Sequence, residues 1–159
     1  MPDYGISTSK KGMLTWDWAA KHFNKSRQYW IVTVRPDGRP HVMVVWGVFM
    51  NNIFYFSTGS ETRKAKNLAK NAHCAVANED ADSAIFLEGV AEIEKDVPLI
   101  KKFIKLYGRK YKWDMSAMGG DMISLKQPTY AVYPTVVFAQ IEKTFTKTAT
   151  RWMFKSRSR

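Results

Sequence analysis

The residues best suited to chemistry lie close together: Ser57, Thr58, Ser60, Thr62, Arg63 and Lys64, within the run from Tyr55 to Ala65. An aromatic strand ends there in small hydroxyl residues, and a helix then starts with two adjacent cations. The first N–H groups of a helix lack intrahelical acceptors and carry a partial positive charge. A phosphate placed at such a terminus satisfies both. Gly59 allows the backbone to approach closely. Arg63 offers a planar fork to phosphate oxygens, and Lys64 a point charge. A structural reading competes with this one: Ser60 caps the helix and both cations are solvated. On this segment alone both readings stand.

Other chemistries have less support. The chain has no Walker-type glycine-lysine loop and no GxGxxG after a strand. His22, His41 and His73 lie far apart and lack ligand spacing with Cys74, so no metal site is expected. Cys74 reads as a buried strand cysteine. No serine sits in a nucleophile-elbow context. Glu79 and Asp80 read as a loop rather than an acid/base pair. No side chain is assigned as a catalyst, which points to a bound cofactor as the reactive group.

The elements around the segment follow from periodicity and turn chemistry. Leu14 to Asn24 reads as a helix with Thr15 as its N-cap. Tyr29 to Arg35 is a strand rich in aromatic and β-branched residues. Pro36-Asp37-Gly38-Arg39 makes a tight turn, and His41 to Met50 returns as the second strand of a hairpin. Asn51-Asn52 turns the chain into a third strand, Ile53 to Thr58. Glu61 to Asn71 is a helix whose buried stripe is Ala65, Leu68, Ala69 and Ala72. Two more strands cover His73 to Asn78 and Ala84 to Glu94. Asp96 caps a helix reaching Tyr111, with Ile100, Phe103, Ile104 and Tyr107 as its apolar stripe. Trp113 to Gln127 reads as a loop, and Tyr130 to Glu142 and Ala149 to Phe154 as the last strands. The turns between the first three strands are too short for parallel crossovers. The fold class is therefore mainly β with helices: six or more antiparallel strands that curl into a barrel.

With 159 residues, the chain is expected to form one domain, with mobile tails at 1–12 and 155–159. No apolar segment near the start resembles a signal peptide, and no run approaches membrane-spanning length. The single cysteine fits a reducing cytoplasm. The 25 Lys and Arg outnumber the 14 Asp and Glu, so the formal charge of +11 favours anionic partners. Six of the cations (Lys101, Lys102, Lys105, Arg109, Lys110 and Lys112) fall between Val97 and Trp113 without a carboxylate. Most of these charges read as a solvated face.

Four segments, YWIVTVRPDGRPHVMVVWG, IFYFSTGSETRKAKNLAKN, FLEGVAEIEKD and TATRWMF, together resemble the pyridoxamine 5′-phosphate oxidase-like superfamily. Its members are flavin- or deazaflavin-binding split β-barrels, usually homodimers, and the resemblance runs from Trp16 to Phe154. It implies that Ser57, Thr58, Thr62, Arg63 and Lys64 hold a cofactor phosphate. It also implies that Met43, Val44, Val45 and Trp46 run along the isoalloxazine ring, and that Arg151 and Trp152 from a second copy close the pocket. The implied cofactor is FMN, or alternatively the deazaflavin coenzyme F-420, whose polyglutamate tail the cationic helix could receive. Two departures argue against vitamin B6 oxidation. Val48 stands where the namesake enzymes carry a substrate-binding lysine, and their C-terminal substrate-binding segment is not recognisable. Val44 stands where relatives often carry proline.

The function implied is hydride transfer to or from a small molecule through the bound cofactor. The alternatives are a carrier or sensor that binds flavin or haem without turnover, and a basic nucleic-acid-binding module. The aromatics argue against the last, since most of them, Trp30, Phe54, Phe56 and Phe86 included, occupy strands that look like core.

Overall fold

Helix α1 (Trp16–Lys25) starts at the expected cap. The Thr15 hydroxyl accepts from the Trp18 N–H at 3.2 Å, and Asp17 lies in the positively polarised first turn. The structure is a computed structural model describing residues 5–6 and 9–155. Of the expected tails, residues 1–4, 7–8 and 156–159 lie outside the described residues.

Strands β1 (Tyr29–Val34), β2 (Pro40–Val45), β3 (Gly47–Met50) and β4 (Ile53–Ser57) follow through short turns. The turn between β1 and β2 closes through Gly38 N–H to Arg35 O at 2.9 Å, with Gly38 at φ 83°. Asn51 and Asn52 both take left-handed angles, φ 54° and 61°, which match the strand twist of a two-residue hairpin. Then come α2 (Arg63–Lys70), β5 (His73–Asn78), β6 (Ser83–Ile93), α3 (Val97–Tyr111), α4 (Gly119–Ile123), β7 (Thr129–Ile141), α5 (Phe145–Thr148) and β8 (Thr150–Met153).

The eight strands form one antiparallel sheet in the order β2-β1-β5-β6-β7-β4-β3, with β8 also on β7. The two ends of this path are consecutive in the chain. The expected single strand from His41 to Met50 is therefore two strands: β2 pairs with β1, β3 pairs with β4, and Trp46 lies at the break. This change of partner curls the sheet into a barrel. A second change occurs on β7, which pairs with β6 along its length but with β4 only at Thr129–Val132 and with β8 only at Val136–Ala139. The barrel is split between those two partners.

Two cores follow from the alternation of strand side chains. Phe23, Tyr29, Ile31, Phe49, Phe54, Phe56, Val76 and Leu87 fill the barrel. Val48, Met50 and Tyr55 point the other way, onto Ile100 and Phe103 of α3. Strands β3 and β4 are thus covered on both faces. Gly47 is required at the break, because a Cβ there would lie 2.2 Å from the Phe54 ring.

The segment from Trp113 to Gln127 is not the open loop expected. It holds a 3-10 turn, Ser116–Met118, followed by α4, and Met115 and Met122 are buried in the second core. Flexible thioether side chains fill the irregular space between α3 and β3–β4. Among the described residues, no helix is long and apolar enough to cross a membrane.

Candidate functional site

The hydroxyl segment is held by the chain that precedes β7. Thr58 N–H donates to Pro128 O at 3.3 Å and Ser60 N–H to Lys126 O at 3.1 Å. The Ser57 hydroxyl donates to Pro128 O at 3.1 Å, with Gln127 O at 3.2 Å, so its proton is engaged within the chain. The N-cap of α2 is Thr62 rather than Ser60, and its hydroxyl accepts from Ala65 N–H at 3.3 Å. Thr58 Oγ1 lies 3.2 Å from Thr62 Oγ1. This cap leaves the N–H groups of Arg63 and Lys64 without intrahelical acceptors.

The hairpin adds one cation, Arg35, and one imidazole, His41, that the linear motif does not contain. His41 is held below its ordinary pKa by burial and by the nearby charges of Arg35, Lys64 and Arg63. Burial likewise lowers Lys64. Among the described residues the ion pairs are Arg39–Asp37 and Lys66–Glu61, so no carboxylate pairs with Arg35, Arg63 or Lys64. Arg35 Nε is buried and has no acceptor. Asn67, fully buried on α2, donates to Thr33 Oγ1 at 3.0 Å while its Oδ1 is left without a partner. Leaving a buried donor unmet costs about 1–3 kcal/mol, and more for a charged group. A phosphate oxygen would supply the acceptor that Arg35 Nε lacks, so the corner fits a phosphate group.

Next to the corner lies a cleft of about 310 Å³, lined by Val44, Val45, Trp46, Ser57, Lys64, Tyr107 and Trp113. It brings together the two stretches expected to meet, the second hairpin strand and the clamp. Met43 is 46% exposed although its cross-strand partner Ile31 is fully buried, so the barrel side of β2 lacks a cover at this point. Trp46 stacks on Tyr111 at 4.5 Å with 2° between the rings, and Trp113 stands edge-on to Trp46 at 5.6 Å. Burial pushes the Tyr107 hydroxyl up to about 12, so it holds its proton at neutral pH.

Two expected residues, Arg151 and Trp152, lie elsewhere in the chain. Trp152 packs against Trp16 at 5.4 Å, while Arg151 is exposed opposite Phe138. Neither lines the cleft within one chain. Val48 is buried under α3, in the second core.

Arg35, His41, Asn67, Tyr107 and Trp113 stand in this corner or line the cleft and are absent from the sequence reading of the site. Tyr107 was assigned to the buried stripe of α3. The hairpin sequence RPDGRPH, with cations on both sides of its turn, was the available signal for Arg35 and His41.

The family model for pyridoxamine 5′-phosphate oxidase matches residues 17–145. Among solved structures, a conserved hypothetical protein from Mycobacterium tuberculosis is similar at 22% identity and TM-score 0.69, covering 79% of this chain and 83% of that one. An F-420 reductase is similar at 21% identity and TM-score 0.59, covering 74% and 94%. A haem storage protein from Vibrio cholerae is similar at 19% identity and TM-score 0.57, covering 76% and 91%. These likenesses establish the fold. No curated protein matches the sequence.

Proposed function

The chain belongs to the pyridoxamine 5′-phosphate oxidase family, and from that premise we propose that it is an oxidoreductase acting on a small molecule through bound FMN or the deazaflavin coenzyme F-420. Arg35, His41, Arg63 and Lys64 hold the phosphate, with Thr58 and Thr62 beside them. Val44, Val45 and Trp46 border the ring, and Trp113 and Tyr107 close the cleft against water. The cofactor, when bound, supplies the hydride chemistry. Tyr107 keeps its proton at neutral pH and offers it as a hydrogen bond into the cleft.

The observation that carries this reading is the buried Arg35 Nε without an acceptor, in a corner of four basic side chains and no paired carboxylate. The test is titration of the protein with FMN and with the deazaflavin, followed by absorbance. Arg63→Ala with Lys64→Ala is expected to weaken binding by about 100-fold or more, from the loss of two charge-assisted contacts. Unchanged affinity for both cofactors rejects the proposal. Tight binding without turnover, over a panel of reductants and acceptors, reassigns the protein as a carrier or sensor.

One feature favours the deazaflavin. A groove of about 380 Å³, whose lining includes Lys105, Arg109 and Lys112 against one carboxylate, Asp114, adjoins the cleft through the shared Trp113. Lys112 takes the left-handed cap of α3 at φ 54°, and Trp113 N–H donates back to Gly108 O at 3.2 Å. That reversal sets Trp113 between cleft and groove. An anionic extension of the cofactor fits the groove, whereas FMN has none.

We also propose that the protein works as a homodimer in the cytoplasm. One row of cross-strand neighbours on the outside of the sheet reads Val44, Trp30, Ala77, Phe86, Phe138 and Arg151. Of the four strand aromatics expected in the core, Phe54 and Phe56 are buried, but Trp30 is 47% exposed and Phe86 45%, because they fall on the outer face of their strands. Exposed apolar rows of this kind serve as interfaces, and a second copy seated there would bring its own Arg151 toward this face. Phe86→Glu is expected to give monomers in sedimentation; a wild-type monomer rejects the dimer. The compartment rests on Cys74, a free buried thiol whose pKa burial pushes up to about 12.

A further inference from the structure

The barrel wall opens where β7 changes partner. Pairing with β4 ends at Phe54–Val132, and pairing with β8 starts at Val136–Met153. Between these two pairings, Phe154 N–H donates to Thr135 O at 2.9 Å. Beside the opening lies a cavity of about 700 Å³, more than twice the volume of the cleft at Trp46. None of its lining residues lines that cleft.

The opening is built into the sequence. Pro134 has no N–H, so the interrupted edge carries no stranded donor there. Thr135 is the extra residue of a bulge opposite Glu88 and Gly89, and its hydroxyl donates to Glu88 O at 3.1 Å. Gly89 has to be glycine, since a Cβ would lie 2.3 Å from Tyr133 O. The walls are fixed from both sides. Asn52 Oδ1 accepts from the Trp16 indole at 3.1 Å, and Phe154 packs edge-on to Trp16 at 5.0 Å. Across the cavity, Asn71 Oδ1 accepts from His73 N–H at 3.0 Å.

The lining combines an apolar surface with unneutralised positive charge. Ile53, Val90, Tyr133 and Phe154 supply the first, and Lys70 and Lys155 the second. Glu92 is the single carboxylate in the lining, and it forms no ion pair with either lysine. Pockets of this volume, with apolar walls and a few placed polar groups, suit small organic ligands.

We propose that this split is a second binding site, separate from the cofactor corner, for a small aromatic anion such as an aromatic carboxylate or sulfonate. The ring lies on Val90, Tyr133 and Phe154, and Lys70 and Lys155 take the charge. The site stands whether or not the cofactor assignment holds.

The probe is 8-anilinonaphthalene-1-sulfonate, added to the full chain and followed by its fluorescence, with neutral N-phenyl-1-naphthylamine as the comparison. Saturable binding of one anion per chain is expected, about tenfold tighter than the neutral dye, since two exposed lysine contacts are each worth under about 1 kcal/mol. Lys70→Glu with Lys155→Glu should remove that preference, and Val90→Trp should weaken binding at least about tenfold by covering the wall on which the ring lies. FMN affinity should be unchanged in both variants. Equal affinity for the two dyes overturns the proposal. So does anion binding that Val90→Trp leaves unweakened, which would place the dye on the apolar row of Trp30, Phe86 and Phe138. Failure to bind FMN in the wild type bears on the cofactor assignment and leaves this result untouched.

Discussion

Two half-buried lysines, Lys64 and Lys110, sit in opposite circumstances. Lys64 opens α2 among Arg35, His41 and Arg63, and has no hydrogen-bond acceptor in the structure. Lys110, in the last turn of α3, donates to Tyr29 Oη at 2.8 Å and to Gly47 O at 3.0 Å, and lies 4.7 Å from the centre of the Tyr29 ring. Burial lowers both, and Lys110 falls to about 8. The second region is closed on itself. Tyr111 Oη accepts from Gly47 N–H at 2.8 Å and lies 2.7 Å from Arg27 O, to which it donates. Tyr29 Oη in turn donates to Phe23 O. A buried cation with its acceptors supplied holds the fold together, here at the break between β2 and β3. A half-buried cation without them, such as Lys64, is what the proposed phosphate site requires.

If that distinction is right, variants in the two regions should separate cleanly. Arg63→Ala with Lys64→Ala should weaken FMN binding by about 100-fold while leaving the urea midpoint unchanged or slightly raised, because like charges are removed. Tyr111→Phe should do the reverse. It leaves Gly47 N–H without its acceptor and Arg27 O without its donor, for a stability loss of about 2 kcal/mol in urea unfolding. Its affinity for inorganic phosphate should stay within about threefold of wild type, less than 1 kcal/mol. A Tyr111→Phe protein of normal stability would break the comparison from the structural side.

The pH dependence gives smaller effects with opposite signs. The folded pKa of Lys110 lies below its unfolded value, so between about pH 8 and 10.5 the unfolded chain binds more protons. Stability should therefore rise with pH from about 8. Tyr29 and Tyr111 are raised by burial, so above pH 10 their ionisation in the unfolded chain lowers stability again. In Lys110→Met the rise between pH 8 and 10 should disappear, as read from thermal midpoints. In the corner, a bound phosphate raises the depressed pKa of His41. FMN affinity should therefore increase as pH falls from 8 toward 6, by about threefold. His41→Gln should flatten that profile.

Local chemistry was legible in the sequence and long-range pairing was not. Thr15 and Asp96 cap helices as their residue types dictate, and the Asp37-Gly38 and Asn51-Asn52 turns have the angles those residues permit. The break at Trp46 left no local mark, because every residue from His41 to Met50 suits a strand except Gly47. What divides the run is a change of partner from β1 to β4, fixed by residues far apart in sequence. The stripe of α2 differs for a related reason. Ala69 is exposed and Asn67 is buried, because Asn67 finds Thr33 on β1. The methionines between Trp113 and Gln127 read as a loop until α3 gave them a core to fill. Half of the basic corner could be read from Arg63 and Lys64. Arg35 and His41 joined it only through the hairpin's position against α2.

The central claim is that the corner of Arg35, His41, Arg63 and Lys64 recognises a phosphate on a flavin-type ring. Its most direct test is parallel calorimetric titration with FMN and with riboflavin, which has the same ring and no phosphate. The wild-type protein should bind FMN at least about 100-fold more tightly, a difference of about 2.7 kcal/mol, and the preference should vanish in Arg63→Ala with Lys64→Ala. Equal affinity for FMN and riboflavin in the wild type, or a preference that survives the double substitution, would contradict the claim.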